Sequence, residues 1–318
     1  FDFKEDVEAG CEIDPRELTK DHLSALKSGG FNRISMGVQD FNEKVQKAVN
    51  RIQPEQMTRK VIGWIRELDF QSMNLDLIYG LPFQTSETFE KTIDSIIDIS
   101  PDRIALFNFA FVPWMKKHMS LIRPEDMPPA EEKLIILKMA IEKLTGAGYV
   151  FIGMDHFARP DDELAVALRE KKLYRNFQGY STHAGTDLYA MGITSISQFG
   201  RIYAQNAKKE KQYYKLLDEG LLPTAKGYRL SDDDILRRRV ITKLMCDFEL
   251  DFKSIENEFN IEFQTYFAWG LKNLAEVIED NLVSIKTDMG QLLIRNIAMN
   301  FDGYIERRED KARYSRTV

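Results

Sequence analysis

The sequence is poor in cysteine, with only Cys11 and Cys246 among 318 residues. Two cysteines so far apart in a chain cannot form a CxxC zinc site, and they cannot supply the full set of thiolates that an iron–sulfur cluster needs. A disulfide between them is not expected in a reducing compartment. We therefore predict no metal site in this chain. Cys11, in the segment GCEIDP, is interpreted as a small residue packed at a strand end.

The sequence also lacks long apolar runs. None approaches the roughly 18 residues that a membrane-spanning helix requires. The first residues, FDFKEDVEAG, have neither the basic region nor the apolar region of a signal peptide. These absences predict a cytoplasmic protein with no membrane partner.

Positive charge is not in excess, since 44 Lys and Arg face 50 Asp and Glu for a net charge of −6 at pH 7. Nonspecific binding to nucleic acid needs a basic surface that displaces counterions from the phosphates. The basic residues of the C-terminal stretch RREDKARYSR are interrupted by acids, which is typical of a solvated tail. We therefore predict no nucleic-acid partner.

Up to about residue 152, the chain alternates short apolar runs with amphipathic segments. The runs predicted as strands are 11–14, 33–39, 73–79, 103–109 and 149–152. The segments predicted as helices are 54–68, 86–99 and 129–145. Strand–helix alternation without hairpin signals favours βαβ units and a parallel sheet.

The rest of the chain divides into two segments of different pattern. Residues 153–230 are irregular and rich in turns, and we interpret them as a connecting region. From 231 to 318, helices are predicted to begin near Ser231, Phe252 and Phe263, the last running to residue 278. An extended pair, LVSIKT and QLLIRN, follows them. Three helices and a hairpin form a winged-helix pattern.

Polar residues follow the predicted strands at their carboxyl ends, where the active sites of parallel α/β proteins are found. They are Glu12, Asp14, Gln39, Asp76, Asn108 and the pair Asp155–His156. Such a rim suits a ligand with hydroxyl and cationic groups. Arg51, before the second helix, could pair a carboxylate of the same ligand.

Simpler interpretations stand beside this one. An isolated acid after a strand is often a helix cap, and Asp14 before Pro15 is predicted to be one. His22 and His118 are interpreted as surface residues. For His156 a structural and a functional role are equally open, and no catalytic acid or base is assigned.

The segment DLIYGLPFQT (76–85) resembles a strand-end motif of the radical S-adenosylmethionine (SAM) enzymes. Together with further segments, it resembles the oxygen-independent coproporphyrinogen III oxidase (dehydrogenase) family. Those segments are EIDP (12–15), FNRISMGVQD (31–40), YVFIGMDHFARPDDEL (149–164), RNFQGY (175–180) and LLIRN (292–296). The likeness runs from residue 12 to the end of the chain.

The resemblance implies a fold: a partial (β/α)₆ barrel followed by a mostly helical, winged-helix-like domain. In that arrangement residues 1–152 are the remainder of the barrel. Residues 153–230 connect the two domains and line the active site, and 231–318 form the C-terminal domain.

The resemblance also implies a reaction. Two propionate side chains of coproporphyrinogen III undergo oxidative decarboxylation to vinyl groups, which gives protoporphyrinogen IX in haem biosynthesis. A [4Fe–4S] cluster reduces SAM to yield a 5′-deoxyadenosyl radical, and the family holds two SAM molecules. Electrons are expected from a donor such as flavodoxin or ferredoxin.

The motif match implies which residues contact the cofactor. Contacts to SAM are implied for Glu12, Gln39, Arg51, Asp76, Ala110 and Ile196. The residues near the second SAM are Ile78, Phe177 and Gln178. Acids and amides can bind ribose hydroxyls and the ammonium group, and Arg51 can pair the methionine carboxylate. For the substrate, Arg159 and Arg175 are candidates to pair propionates on grounds of charge alone.

One departure from the family pattern concerns the cluster. The family holds it with a CxxxCxxC motif after the first strand and has a glycine-rich SAM motif after the second, and neither is present here. The expectation is a fragment that lacks the first strands and is inactive alone. An open sheet edge would let the fragment associate through that edge, whereas the full-length protein is expected to be a monomer.

Two other functions remain as alternatives. A haem-binding or haem-chaperone relative without oxidase activity would bind haem and form no vinyl product. A nucleic-acid-binding protein would use the winged-helix-like segment. Against it stand the acidic net charge and the lack of a Lys/Arg-rich recognition helix in 252–278.

Overall fold

The computed structural model describes residues 2–274, 278–279, 281–285 and 288–306. The stretch RREDKARYSR, predicted to be solvated, lies outside them. The chain forms two units, one ending at Val166 and the other beginning at Ala167. The predicted divisions after residues 152 and 230 remain predictions. Among the residues described, no helix is both long and apolar enough to cross a membrane.

In the first unit, strands and helices alternate along the chain as predicted. The strands are β1 (Gly10–Ile13), β2 (Arg33–Gln39), β3 (Ser72–Tyr79), β4 (Arg103–Asn108), β5 (Val150–Gly153) and β6 (His156–Ala158). The helices are α1 (Lys20–Ser28), α2 (Glu43–Ala48), α3 (Glu55–Glu67), α4 (Ser86–Ile99), α5 (Ala130–Gly146) and α6 (Glu163–Arg169), which ends beyond the boundary. Between β4 and α5 lie two short 3₁₀ helices, Lys117–Leu121 and Pro124–Asp126.

The strands form one six-stranded sheet in the order β1-β2-β3-β4-β6-β5. The first four are parallel, and their register aligns Met36 with Leu75 and Leu75 with Ile104. The connections between them pass through α1, then through α2 and α3, then through α4. The predicted βαβ units and parallel sheet are confirmed for these strands.

The core lies between this sheet and its helices, because both carry apolar stripes of the right period. Along β2 every second residue is buried, with Ile34 and Met36 at most 2% exposed. On α4, Phe89, Ile93 and Ile96 recur at helical spacing and are completely buried. Removal of these side chains from water is the main stabilising contribution to such a unit. It also decides which face of the sheet is left for polar residues.

The far edge of the sheet differs from the prediction, because it contains a hairpin. β6 pairs antiparallel with β5 and with β4, where His156 lies opposite Ala105. The tight turn between β5 and β6 includes Met154 in the left-handed conformation, with φ of 51°. Strands of four and three residues are too short to show an alternation. The sequence pattern therefore predicted the first of them only.

The start of α1 also differs from the prediction. The helix begins at Lys20, and Thr19 caps it by accepting a 3.3 Å hydrogen bond from the backbone N–H of His22. Nδ1 of His22 accepts one in return from the N–H of Thr19. Asp14 is therefore not the cap. Its carboxylate is bound by Arg16 instead, and Pro15 lies buried in the intervening turn.

The second unit holds several small sheets. Its strands are β7 (Tyr174–Asn176), β8 (Gly179–Ser181), β9 (Ile196–Phe199), β10 (Ile202–Asn206), β11 (Thr224–Arg229), β12 (Glu249–Asp251), β13 (Ile278–Glu279) and β14 (Leu282–Ser284). Its helices are α7 (Glu210–Asp218), α8 (Asp232–Asp247), α9 (Phe252–Phe259), α10 (Phe263–Tyr266), α11 (Ala268–Leu271), α12 (Asp288–Leu292), α13 (Ile294–Ala298) and α14 (Gly303–Glu306). The sheets are the β7–β8 hairpin, β11-β10-β9 and β12-β14-β13.

The C-terminal part of this unit packs around aromatic side chains. Phe263 stacks on Phe252 with ring centroids 4.1 Å apart, and it contacts Phe267 at 4.7 Å. Phe301 packs against the same cluster and is completely buried. Helices around such a core, with the small β12-β14-β13 sheet, agree with the mostly helical, winged-helix-like domain that was expected.

Two predicted elements in this part are wrong. QLLIRN is helical, within α12 and α13, and the strand that pairs with β14 is β13 instead. The single helix predicted over 263–278 is two short helices, α10 and α11, and Ile278 begins a strand. Ile294 and Ala298 are both buried one helical turn apart. A short apolar run does not distinguish a buried helix from a strand, which is why the pattern misled.

We expect Phe89→Ala to destabilise the first unit by about 3–5 kcal/mol, since it leaves a cavity between α4 and the sheet. Denaturant unfolding, followed by circular dichroism, measures this. Phe3→Ala is the matched control, because Phe3 is 79% exposed and its loss costs little. Equal midpoints for the two variants would contradict the packing described.

Candidate active site

One face of the parallel sheet is polar, while the opposite face carries the core. Successive side chains of a strand point to opposite faces, so the residues between the buried ones share the polar face. They are Glu12, Ser35, Gly37, Gln39, Asn74, Asp76 and Ile78. The register sets Glu12 beside Ser35 and Gly37 beside Asp76. The structure therefore brings several of the predicted site residues together near the carboxyl ends of β1, β2 and β3.

At Gly37 the side chains of Gln39 and Arg51 occupy the space that a side chain of residue 37 would fill. A Cβ atom there would clash with Nε2 of Gln39 and lie 3.2 Å from Nη2 of Arg51. Gln39 ends β2 in a left-handed conformation, with φ of 67°. Because residue 37 is glycine, the side chains of Gln39 and Arg51 can meet above the strand. We call this arrangement of Gly37, Gln39 and Arg51 the glycine cradle.

The backbone carbonyl of Gly37 fixes the glycine cradle through hydrogen bonds. This carbonyl accepts hydrogen bonds from Arg51 Nη2 and Gln53 Nε2, each at 3.1 Å. Two other polar atoms of the cradle, Gln39 Oε1 and Arg51 Nε, are buried without a hydrogen-bond partner among the described residues. Buried polar atoms normally have partners, so an unsatisfied acceptor and an unsatisfied donor in the same cradle mark a place for a polar ligand.

Arg51 keeps the capacity to bind a carboxylate. Its Nη1 lies 3.6 Å from Oδ2 of Asp14, but Asp14 is bound more closely by Arg16, whose Nε donates at 2.9 Å. That hydrogen bond is the main reason that the pKa of Asp14 falls to about 2. Burial lowers the pKa of Arg51, yet an arginine in this position stays charged at neutral pH. The residue is thus a half-buried cation with a donor to spare.

Glu12 and Asp76 bring negative charge to the same face. Oδ1 of Asp76 accepts a 2.7 Å hydrogen bond from Nδ2 of Asn74, which also donates to the hydroxyl of Ser35 at 3.0 Å. Burial raises the pKa of Asp76, and the neighbouring charge of Glu12 raises it further. Two carboxylates placed so close favour a ligand with ammonium or hydroxyl groups.

The turn after β3 is locked by a buried side chain that sequence reasoning did not assign. Oε1 of Gln84 accepts from the N–H groups of Gly80 and Leu81, at 2.6 and 3.3 Å. Its Nε2 donates to Oδ2 of Asp40 at 2.7 Å and to the carbonyl of Ile78 at 3.1 Å. Gln84 and Asp40 are each 1% exposed. We call this pair the Asp40–Gln84 pin.

The same pin reaches helix α4. The other carboxylate oxygen of Asp40 accepts from Thr92 Oγ1 at 2.7 Å and from the N–H of Asn42 at 2.8 Å. Asp40 therefore ties the end of β2 to the turn after β3 and to a helix of the core. Burial raises its pKa, while its hydrogen bonds act in the opposite direction.

Ala110 and Ile78 supply apolar surface near the rim. Ile78 is half-buried on the polar face, and Ala110 is exposed two residues beyond the end of β4. The chain there is fixed by a 2.9 Å hydrogen bond from the N–H of Phe109 to the carbonyl of Tyr79. His156, at the same edge, meets the ring of Phe107 edge to face at 6.1 Å.

The structure does not bring Arg159 to this rim. It follows β6, which runs antiparallel, so it lies at the amino edge of the sheet, opposite the predicted site. Its N–H donates to the carbonyl of Asp102, and its Nε lies 3.6 Å from Oδ1 of Asp161. Arg159 was a candidate partner of a substrate propionate on grounds of charge alone. Because β6 runs antiparallel, Arg159 lies at the opposite edge of the sheet from Arg51.

The remaining predicted residues belong to the second unit. Arg175, Phe177 and Gln178 share the β7–β8 hairpin, where Phe177 is 44% exposed. The guanidinium of Arg175 lies 5.6 Å from the Tyr180 ring, and its Nε is buried with no hydrogen-bond partner in the described part of the chain. Ile196 begins β9 in another sheet and is half-buried.

Neither cysteine has the properties of a cluster ligand. Cys11 is half-buried and packs against the core on the side of the sheet that the helices cover. Cys246, in the second unit, is 2% exposed, and burial raises the pKa of its thiol to about 12. Among the described residues, no three His, Cys, Asp or Glu side chains are placed to hold a metal ion. These residues do not fit an iron–sulfur cluster.

The polar face fits a SAM-like ligand better. Its unsatisfied donor and acceptor, its two carboxylates and its apolar rim match a molecule with a carboxylate, an ammonium group, hydroxyls and an aromatic base. Gly37, Asp40, Gln53 and Gln84 support these groups. In the sequence, Gly37, Asp40 and Gln84 stood out only as members of the segments 31–40 and 76–85, and Gln53 lies outside every quoted segment. Their roles depend on contacts that no spacing reveals.

Two segments of the chain match known protein families. Residues 3–96 match the Radical SAM superfamily, and residues 230–289 match the HemN C-terminal domain. The first match contains the polar face, and the second contains α8, α9 and the whole β12-β14-β13 sheet.

Known relatives extend this similarity to the whole chain. The oxygen-independent coproporphyrinogen III oxidase of Synechocystis is 48% identical over 328 residues, which cover 100% of this chain and 70% of that protein. The Escherichia coli K12 enzyme of the same name is 47% identical over 324 residues, which cover 100% of this chain and 71% of that protein. The solved structure of coproporphyrinogen III oxidase (HemN) from Escherichia coli, described as a radical SAM enzyme, superposes with a TM-score of 0.91 at 48% identity. It covers 96% of this chain and 71% of that one.

Gln84→Leu tests the Asp40–Gln84 pin. We expect it to destabilise the first unit by about 2 kcal/mol or more, since Oδ2 of Asp40 loses the donor, and the N–H of Gly80 loses the acceptor, that the Gln84 amide supplies. Denaturant unfolding measures the change. Gln71→Leu is the control, because Gln71 is exposed and lies just before β3, and it should leave the midpoint nearly unchanged. A similar loss of stability in both variants would argue against the pin.

Glu12→Gln tests the coupling between the two carboxylates. The pKa of Asp76 lies above its ordinary value of 3.8, in part because of the charge of Glu12. Removal of that charge should lower the pKa of Asp76, so the carboxyl should ionise at a lower pH than in the unmodified protein. Carboxyl carbon chemical shifts, followed by NMR across the titration, report it. No downward shift would mean that the two groups are not neighbours.

Proposed function

Because the chain belongs to the oxygen-independent coproporphyrinogen III oxidase family of radical SAM enzymes, we propose that the protein converts coproporphyrinogen III to protoporphyrinogen IX. Two propionate side chains undergo oxidative decarboxylation to vinyl groups, a step of haem biosynthesis. The observation that carries the proposal is the glycine cradle, with its buried and unsatisfied Gln39 Oε1 and Arg51 Nε beside two carboxylates. Among the residues that the structure describes, nucleic-acid binding has no comparable feature to support it.

We assign the following roles on the polar face. Arg51 pairs the methionine carboxylate of SAM, because it is a half-buried cation with an unused donor. Glu12 and Asp76 accept from the ammonium group and the ribose hydroxyls, and Gln39 contributes its free acceptor. Ile78 and Ala110 give apolar contact to the adenine or to a second SAM. When bound, SAM supplies the radical chemistry that activates a C–H bond of the substrate.

In the second unit, Phe177, Gln178 and Ile196 are proposed contacts to SAM, and Arg175 is a proposed partner of a substrate carboxylate. The buried Nε of Arg175, which lacks a hydrogen-bond partner among the described residues, supports that role. Arg159 is not included. The [4Fe–4S] cluster of the family is assigned no ligand in this chain, since its two cysteines do not fit one.

Further proposals rest on the family alone. We propose that electrons arrive from a donor such as flavodoxin or ferredoxin, that the complete enzyme is a cytoplasmic monomer, and that the open edge at β1 lets the isolated chain associate. Light scattering and thermal melts of both forms address the last two points.

An anaerobic assay with SAM, reductant and coproporphyrinogen III tests the function. The product of the complete reading frame should form vinyl-bearing porphyrinogen, detected by chromatography after oxidation. The 318-residue chain alone should not, because it cannot hold the cluster. Absence of turnover by the complete protein, together with a Soret shift on haem addition, would favour the haem-binding alternative.

Arg51→Gln should weaken SAM binding by about tenfold or more, since it removes a charge-assisted pair to the ligand carboxylate. Equilibrium dialysis with labelled SAM gives the Kd. Arg59→Gln is the control: Arg59 lies on α3 and pairs with Glu55 and Asp98, away from the polar face. The role of Arg51 would be refuted by unchanged binding in its variant.

A further inference from the structure

The connection between β4 and α5, residues 109–129, is long and starts at the rim of the proposed site. Its first residues include Ala110, a proposed SAM contact. At its start, the N–H of Phe109 donates to the carbonyl of Tyr79 at the end of β3. Near its end, the carbonyl of Asp126 accepts from the N–H of Phe83 in the turn after β3. We call residues 109–129 the rim segment.

The rim segment carries large apolar side chains on its surface. Trp114 is 49% exposed, Met115 is 69% exposed and Leu121 is 85% exposed. Its internal order comes from local contacts, such as the rings of Phe109 and Phe111, whose centroids are 6.4 Å apart. Water contact with this much apolar surface is costly, which is typical of a place where a ligand or partner binds.

The charge of the rim segment is also unusual for this acidic protein. The sequence has no Asp or Glu between Asp102 and Glu125. Arg123 is paired with Asp126, but Lys116 and Lys117 form no ion pair within the described part of the chain. Two uncompensated ammonium groups therefore follow directly on the exposed Trp114 and Met115.

We propose that the rim segment binds the substrate as a tetrapyrrole with carboxylate arms: Trp114 and Met115 contact the pyrrole rings, and Lys116 and Lys117 pair with propionates. The inference rests on the proposed function and names the substrate side of the same site. An indole offers a flat apolar face to a pyrrole ring, and ammonium groups are suited to flexible carboxylates that differ in position.

The size of this patch argues for a small ligand rather than a macromolecule. A membrane surface or a nucleic acid needs a larger field of basic residues than two neighbouring lysines. A propionate-bearing macrocycle needs an apolar contact with a few cations beside it, and the rim segment has that composition. The rim segment also contains Ala110, one of the proposed cofactor contacts.

Coproporphyrin III, the fluorescent oxidised form of the substrate, is the probe. Its Kd is measured by fluorescence anisotropy with the complete protein under anaerobic conditions, at low salt and at about 1 M salt, where the Debye length is about 3 Å. Lys116→Gln/Lys117→Gln should raise the Kd about fivefold to tenfold at low salt and reduce its dependence on salt. Trp114→Ser should raise the Kd by a similar factor and leave the salt dependence intact.

Lys208→Gln/Lys209→Gln is the matched control, because it removes two adjacent exposed lysines from the second unit and changes the net charge equally. It should leave the Kd unchanged. If the rim variants bind the probe as tightly as the unmodified protein, the inference is wrong and the proposed function stands. If the unmodified protein neither binds the probe nor turns over substrate, both are wrong. If the rim variants lose binding to phosphatidylglycerol vesicles but bind the probe as the unmodified protein does, the rim segment contacts membranes and the inference is also wrong.

Discussion

The buried hydrogen bonds between Asp40 and Gln84 are the interaction on which the proposed site depends. They join the end of β2, the turn after β3 and, through Thr92, helix α4. A carboxylate in a dry interior is tolerated only when donors surround it, so these elements must arrive together. The positions of Gln39, one residue before Asp40, and of Ile78, whose carbonyl Gln84 binds, follow from that requirement.

The second constraint is the alternation of the strands. Ile34 and Met36 bury against the helices, which leaves Ser35 and Gly37 on the polar face, where Asp76 and Glu12 also lie. A shift of one residue in β2 would exchange the two sets, at the cost of the whole core. The packing that stabilises the unit therefore also orients the groups proposed to bind SAM. Stability and function use opposite faces of the same strands.

Much of this could be predicted from the sequence. The parallel strands and the helices α3, α4 and α5 follow from periodicity, and the family follows from segments such as DLIYGLPFQT. The failures occurred where elements were short or ambiguous. The hairpin of β5 and β6 has too few residues to alternate, QLLIRN is apolar enough for either a strand or a helix, and Asp14 before Pro15 imitates a cap that Thr19 provides.

The sequence by itself determined the fold class, the family and the identity of most candidate residues, because those depend on local periodicity and on motifs read along the chain. Only the tertiary structure decided which of them meet. It placed Arg159 at the amino edge of the sheet through the direction of β6, and it showed why residue 37 is glycine. These facts depend on contacts between residues far apart in sequence, which only the packing of β2, β3 and their helices establishes.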